Sequence, residues 1–228
     1  MIESFGSVTN AFGYLVGGTI VTLELVGLSL LVGFIIGILL CLGQVYGSKV
    51  IRGVIHIYVW FFRGIPNLIL LFLFYFAIFP MVKLNIPPFV VAFIVLGMRS
   101  AAYQSQIFRG VVESLAEGQM LAARSLGMTK FQSILFIIIP QTLRLALPSW
   151  ANEYPVLLTD SAVASAIGVT ELLARTGHQV AATGNIMSLY LSCAAIFIIL
   201  NCLGMFIIQG IEKRIRIHGF GNNECEQI

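Results

Sequence analysis

Five transmembrane α-helices, in an all-α polytopic membrane protein with its N-terminus outside and its C-terminus in the cytoplasm, are what this sequence predicts. Three observations carry that expectation. The 228 residues are 58% hydrophobic and 10% charged, with a mean hydropathy of +0.96, whereas ordinary soluble domains hold roughly 25% charged residues. The 13 basic and 10 acidic side chains are too few to coat so large an apolar mass in water. The apolar residues fall into five runs, each near the roughly 20 residues that a bilayer core requires. Lysine and arginine collect on the connections of one side, which by the positive-inside rule is the cytoplasmic side.

Span one runs from about 19 to 42, TIVTLELVGLSLLVGFIIGILLCL. The preceding GSVTNAFGYLVGG reads as a short surface segment, and the first 18 residues carry no basic charge, so a cleaved signal peptide is not expected. Gly27, Gly33 and Gly37 recur along span one; small residues let helices approach closely in lipid, although glycine is also simply common there. Span two, about 54 to 79, is interrupted by Gly64 and Pro66, which mark a local bend. Span three, about 88 to 108, opens on Pro87 and Pro88, which suit first helical positions that need no intrahelical N–H bond.

A cytoplasmic loop of about 109 to 135 leads to span four, about 136 to 158. Residues 161–185 are moderately apolar and predict one or two short helices on the outer face; span five covers about 186 to 208. The acidic tail GFGNNECEQI is expected to be solvated. All 228 residues read as one transmembrane domain. In this orientation the inside holds Lys49, Arg52, Arg109, Arg124, Lys130, Lys213, Arg214 and Arg216, with Arg144 near the start of span four, against Lys83 and Arg175 outside.

Within the loop, Glu113 to Leu126 are good helix formers, broken at Gly118 and ended by Gly127. Ser114 or Glu113 could cap an entry turn, and Gly127 permits a sharp reversal. The expectation is two short helices, too short to stand alone in water without packing against something. Cys41, Cys193, Cys202 and Cys225 have no ligand spacing, so neither metal nor disulfide is expected. No phosphate-cradling glycine loop with a lysine occurs, and no nucleophile with a base and orienting group assembles.

The stretch Gly118 to Pro140, GQMLAARSLGMTKFQSILFIIIP, resembles the cytoplasmic loop signature of membrane subunits of ATP-binding-cassette importers. That signature opens Glu-Ala-Ala and then places Gly, nine residues, and Ile-x-Leu-Pro. Ala122, Ala123, Gly127, Ile137 and Pro140 match, with Ile139 in the leucine position. FFRGIPNLI at Phe61 to Ile69 and NEYPVLLTDSAVASAIGVTELL at Asn152 to Leu173 resemble the polar amino acid branch. The likeness extends over about residues 15 to 215.

The resemblance implies a plasma-membrane permease that moves polar amino acids, with Gly118, Leu121, Ala122, Ala123, Arg124 and Gly127 forming a coupling helix in the groove of a cytoplasmic ATPase. ATP and Mg would be bound by that ATPase dimer, and this chain would bind no cofactor of its own. An extracytoplasmic amino acid binding protein would dock outside, where Glu171 and Arg175 are plausible contacts. One thin-walled subunit calls for a second permease subunit, itself or a homologue. Lipid completes the partners, and no nucleic acid is expected. Taken without the signature, the loop could equally lie on anionic lipid. Two departures remove negative charge: Leu121 stands where the loop signature has glutamate, and Gln106 replaces the usual glutamate in AYQSQIFRG.

Ionisable residues at membrane depth are expensive and are functional candidates by default. They are Glu24, Arg63, Arg99, Glu153 and Asp160. Glu153 and Asp160 are seven apart, about two helical turns, so they share a face with Ser149. Pro148 and Pro155 free the carbonyls of Arg144 and Ala151. A broken helix of this kind would attract an ammonium group, so Glu153, Asp160, Ser149 and Asn152 are the expected substrate path, with a slight lean to basic substrates. An internal ion pair with Arg99 or Arg63, or solvent exposure of Asp160 at the outer surface, are the alternatives, and Arg63 could serve a gate or the structure. A secondary transporter or channel is the rival in another class, but five spans do not divide into two matched halves.

Overall fold

The structure is a computed structural model that describes the backbone of residues 2–215 and the side chains of residues 13–115 and 118–215. The expected solvated tail, Cys225 and Arg216 lie outside the described residues. Eight helical segments follow one another: α1 (Ile2–Tyr46), α2 (Lys49–Gly64), α3 (Asn67–Met81), α4 (Pro88–Ser125), α5 (Lys130–Ala151), α6 (Glu153–Ile167), α7 (Leu172–Thr183) and α8 (Ile186–Ile215). No strand occurs among the described residues. Residues 13–46 of α1, together with α5 and α8, are each long and apolar enough to cross a membrane. The pair α2 and α3, bent by 110°, and the pair α6 and α7, bent by 52°, could each make one broken span, so three to five candidate spans are present.

Local chemistry explains where the helices stop. Ser48 caps α2 by accepting the Ile51 N–H at 3.4 Å, and Pro66 produces the expected break before α3. Pro87 and Pro88 open α4 as anticipated. At its far end Gly127 adopts φ 81°, a left-handed turn that costs other residues roughly 1–2 kcal/mol. Thr129 then starts α5 with a capping box: its Oγ1 accepts the Gln132 N–H at 3.3 Å, and the Gln132 side chain accepts the Thr129 N–H at 2.8 Å. α5 ends at Asn152, just after Pro148. Two π-helical turns, Leu73–Ile78 in α3 and Ile134–Ile138 in α5, each insert an extra residue into the helical ladder.

Several expectations change. The segment before span one is not a surface lead-in: α1 is already helical there, Leu15 is buried, and Gly18 lies against Leu172 of α7. The two short loop helices are replaced by the uninterrupted C-terminal part of α4, with Gly118 inside it. One glycine in a helix interior costs only about 1 kcal/mol, less than the good helix formers on both sides recover. Consequently neither Glu113 nor Ser114 caps anything; Glu113 pairs with Arg109 at 2.8 Å, and Ser114 Oγ donates to the Val111 carbonyl. Span four divides into α5 and α6, because the capping box starts it at Lys130 and Asn152 breaks it.

The centre is the contact of α1 with α4. Gly33 and Gly37 of α1 lie against α4: a Cβ on Gly33 would fall 2.7 Å from both Gln104 Nε2 and Ser100 Oγ, and one on Gly37 3.0 Å from Gln104 Cβ. Gly27 faces open space, so only two of the three glycines serve close approach. On one side of this contact Leu25, Leu70, Val95, Leu96 and Leu157 are fully buried together. On the other, Phe34 stacks edgewise on Phe108 and Trp150, at 5.6 and 5.8 Å, over Cys41 and Ile138. Close packing of this kind holds helices together where lipid tails are as apolar as leucine. The outward faces of α1 and α8 are bare and apolar, among them Leu31, Ile35, Leu39, Ile199 and Phe206.

Candidate functional site

Helix α4 carries polar residues through the middle of the packed bundle. Arg99, Ser100, Tyr103 and Gln104 follow an i, i+1, i+4, i+5 pattern, which keeps them on one helical stripe. Across from the stripe stands α6. Glu153, buried to 5% exposure, accepts a hydrogen bond from Ser100 Oγ at 2.8 Å. Ser100 accepts one from Gln104 Nε2 at 2.8 Å, and Trp150 Nε1 donates to Gln104 Oε1 at 2.7 Å. About two turns farther along α6, Asp160 forms an ion pair with Arg99, their side chains 18% and 16% exposed. The guanidinium carbons of Arg63 and Arg99 lie 4.9 and 5.0 Å from the centre of the Tyr103 ring, within cation–π range.

The expected carboxylates therefore face the same helix, as their seven-residue spacing requires. Ser149 does not join them and is exposed, as is Asn152, the residue at which α5 gives way to α6. Asp160 forms the internal ion pair that the sequence left as an alternative. Glu24 stands exposed on α1, with no ion pair among the described residues.

Sequence reading missed Asn67, Tyr103, Gln104 and Trp150. Asn67 Nδ2 donates to the Asp160 carbonyl at 3.4 Å. Asn67 Oδ1 and Arg99 Nε are buried with no partner among the described residues, leaving one acceptor and one donor beside the ion pair. The alternation of polar and small residues in RSAAYQSQ was the available signal, since it breaks an otherwise apolar run.

A second feature lies at the reversal from α4 to α5. Leu121, Leu126 and Phe131 are 71%, 85% and 73% exposed, with Ala122 and Arg124 also exposed. Ala123 points inward at 4% exposure, and the Met128 N–H donates to its carbonyl at 3.2 Å. Lys130 lies 5.3 Å over the Tyr46 ring, which ties the reversal to the end of α1. On α7, Glu171 is fully buried and accepts from the Leu173 and Ala174 N–H groups at 2.8 and 2.7 Å. It is a helix cap, so the expected outer contact falls away. Arg175 donates to the Thr170 and Tyr14 carbonyls at 3.2 and 3.0 Å.

Comparison with known proteins agrees with this architecture. The probable amino-acid ABC transporter permease protein YckA of Bacillus subtilis (strain 168) is 32% identical over 213 residues, which is 93% of this chain and 91% of that protein. The glutamine transport system permease protein GlnP of Escherichia coli (strain K12) is 28% identical over 215 residues, 93% and 98% of the two chains. A crystal structure of an amino acid ABC transporter with histidines superposes with a TM-score of 0.83 at 31% identity, covering 92% of this chain and 98% of that one. The MetNI methionine ABC transporter in an inward-facing form shares the fold, with a TM-score of 0.77 at 22% identity and coverage of 91% and 99%. A family model described as binding-protein-dependent transport system inner membrane component matches residues 29–217. This chain, a multi-pass membrane protein, belongs to that family of inner membrane components of binding-protein-dependent transport systems.

Proposed function

We propose that this chain is the membrane-spanning subunit of an ATP-driven importer of polar L-amino acids, with a slight lean to basic ones. Two copies, or one copy and a homologue, enclose the path. The N-terminus is outside and the C-terminus cytoplasmic, with five crossings made by α1, α3, the first part of α4, α5 and α8. An extracytoplasmic binding protein delivers the amino acid. A cytoplasmic ATPase dimer holds ATP and Mg, and this chain contributes no nucleotide site. The relatives' names and the matching architecture support the amino acid reading.

One observation carries the coupling to a soluble engine. Leu121, Leu126 and Phe131 stand bare beside Arg124 at a reversal that the positive-inside rule puts in water. Exposed leucines next to a tight turn are a contact surface awaiting a protein groove. With leucine at position 121, that contact is more apolar than a glutamate would make it. Coupling then works by rigid displacement: closure of the ATPase pair moves the end of α4 and α5, and the packed bundle switches between its outward and inward arrangements.

In the path, Glu153 and Asp160 offer negative charge, while Arg99 Nε and Asn67 Oδ1 offer an unpaired donor and acceptor. That combination suits a zwitterion with an extra ammonium or guanidinium group. The test is recovery of the tagged chain from its native membranes in gentle detergent, with assay of ATP hydrolysis in the purified material. The wild type is expected to bring down a soluble ATPase, and Leu121→Asp with Leu126→Asp to lose it while the chain still purifies as a folded species. Recovery without any ATPase, together with solute movement in vesicles lacking ATP, would replace the importer with a secondary carrier or channel.

A further inference from the structure

At the end of the first span, where α1 stops at Tyr46 and Ser48 starts α2, a cavity of about 450 Å³ opens between α1, α2 and α4. Its lining includes Gln44, Arg52, Gly53, His56, Arg109 and Glu113. Arg52 is held in place by its own backbone: Nε donates to the Gly47 carbonyl at 3.0 Å and Nη2 to the Val45 carbonyl at 3.3 Å. Arg109 uses Nε on Glu113 at 2.8 Å. Both guanidinium groups thus keep N–H donors without partners among the described residues. One carboxylate against two guanidiniums leaves the cavity positive whatever the state of His56.

Helix α2 shows what kind of anion can reach it. Its residues divide into three lengthwise stripes. Ile55, Val59 and Phe62 are buried against the bundle. Lys49, Arg52 and His56, at i, i+3 and i+7, form a basic stripe, and Val50, Val54 and Ile57, 75%, 62% and 66% exposed, form a bare apolar one. A short helix with basic and apolar stripes side by side lies in the headgroup region of a membrane. The mouth of the cavity therefore sits where lipid phosphates are. Arginine forks suit phosphate oxygens because the planar donor set matches two of them at once.

We infer that this cavity binds the phosphate of an anionic phospholipid headgroup, with the acyl chains running along the Val50, Val54 and Ile57 stripe. The site is distinct from the Glu153 and Asp160 path and does not depend on the transported solute. Gly53 adds a steric handle, since a Cβ there meets nothing within 4 Å and a large side chain would fill the entrance without removing charge.

The experiment places the purified permease, in whatever complex it is isolated, in nanodiscs of phosphatidylcholine doped with phosphatidylglycerol. Lipid retained per permease is then measured by mass spectrometry after extraction into detergent. The wild type is expected to retain phosphatidylglycerol above its share of the bilayer. Arg52→Gln with Arg109→Gln should lower that enrichment by about tenfold, the effect of losing a charge-assisted contact. Arg52 also braces the α1 to α2 turn, so Gly53→Phe provides the independent variant and should give a comparable loss with both charges present. Equal enrichment in all variants would overturn the assignment. Displacement of phosphatidylglycerol by inorganic phosphate would also overturn it, because the site would then be one for free phosphate.

Discussion

Asp160→Asn should be among the most damaging single changes in the chain. In the folded state Arg99 is 16% exposed, its Nε already lacks a partner, and its charge is balanced within the bundle by Asp160. Asparagine keeps the size but removes the negative charge, so the guanidinium is left buried and unbalanced. Removing one partner of a buried pair costs about 3–5 kcal/mol. The stacking of Arg99 on Tyr103 is present in wild type and variant alike, so it leaves that figure unchanged. Arg99→Met with Asp160→Leu removes both charges, and apolar replacement of a buried pair is commonly neutral for stability. The double variant should therefore recover most of the stability while uptake of arginine or lysine stays impaired, because the Asp160 carboxylate is gone from the path and Glu153 alone remains. Reversible unfolding in mixed micelles measures the first quantity, and uptake by membrane vesicles supplied with ATP and binding protein measures the second. A single variant within about 0.5 kcal/mol of wild type would refute the argument, for it would mean that water reaches Arg99 freely.

Other changes test neighbouring steps. Glu153→Gln keeps an acceptor for Ser100 and so should fold, yet should weaken uptake of arginine and lysine about tenfold more than uptake of glutamine; equal loss for all three in competition assays would remove any selective role. Gly33→Val would push side-chain atoms into Ser100 and Gln104, with an expected cost of about 1–3 kcal/mol in micelle unfolding. Gly127→Ala forces a Cβ into the left-handed region, at about 1–2 kcal/mol, and should lower ATPase recovery without changing the amount of folded permease. Thr129→Ala removes the cap of α5 and should cost about 1 kcal/mol by the same unfolding assay.

What could be read from the sequence differed by the kind of force involved. Span existence was legible because hydrocarbon thickness imposes a length on an apolar run, and the runs that became α1, α5 and α8 meet it without help from neighbours. The third run begins at Pro88 as expected, and the polar residues within it are enclosed by α1 and α6, whose groups pair with Ser100, Gln104 and Arg99. The break at Pro66 and the reversal at Gly127 were legible because proline and glycine act on the backbone locally. Gly118 misled for the same reason: its cost is local and small, and the residues around it decide the helix. Side-chain partnerships across the bundle, such as Ser100 with Glu153 or Trp150 with Gln104, depend on which faces meet, and no periodicity in one strand of sequence states that.

The continuity of α4 joins the two candidate features, the proposed path and the proposed coupling surface, in one element. Ser100 and Arg99 meet the α6 carboxylates near its middle, and Leu121 projects from its far end, 21 residues beyond Ser100. At 1.5 Å per residue the separation is about 32 Å, roughly the thickness of the hydrocarbon core. Two short helices joined at Gly118 would have absorbed a push at the loop by bending there. On the proposed coupling, a single helix packed tightly against Gly33 and Gly37 of α1 would pass such a push on as a tilt about that contact. The carboxylates are carried by α6, across a break at Asn152 from α5. A tilt of α4 would therefore change the distance from Arg99 to Asp160 without first unfolding either helix. The Arg99–Asp160 pair, which bridges α4 and α6, is the contact that such a tilt would strain.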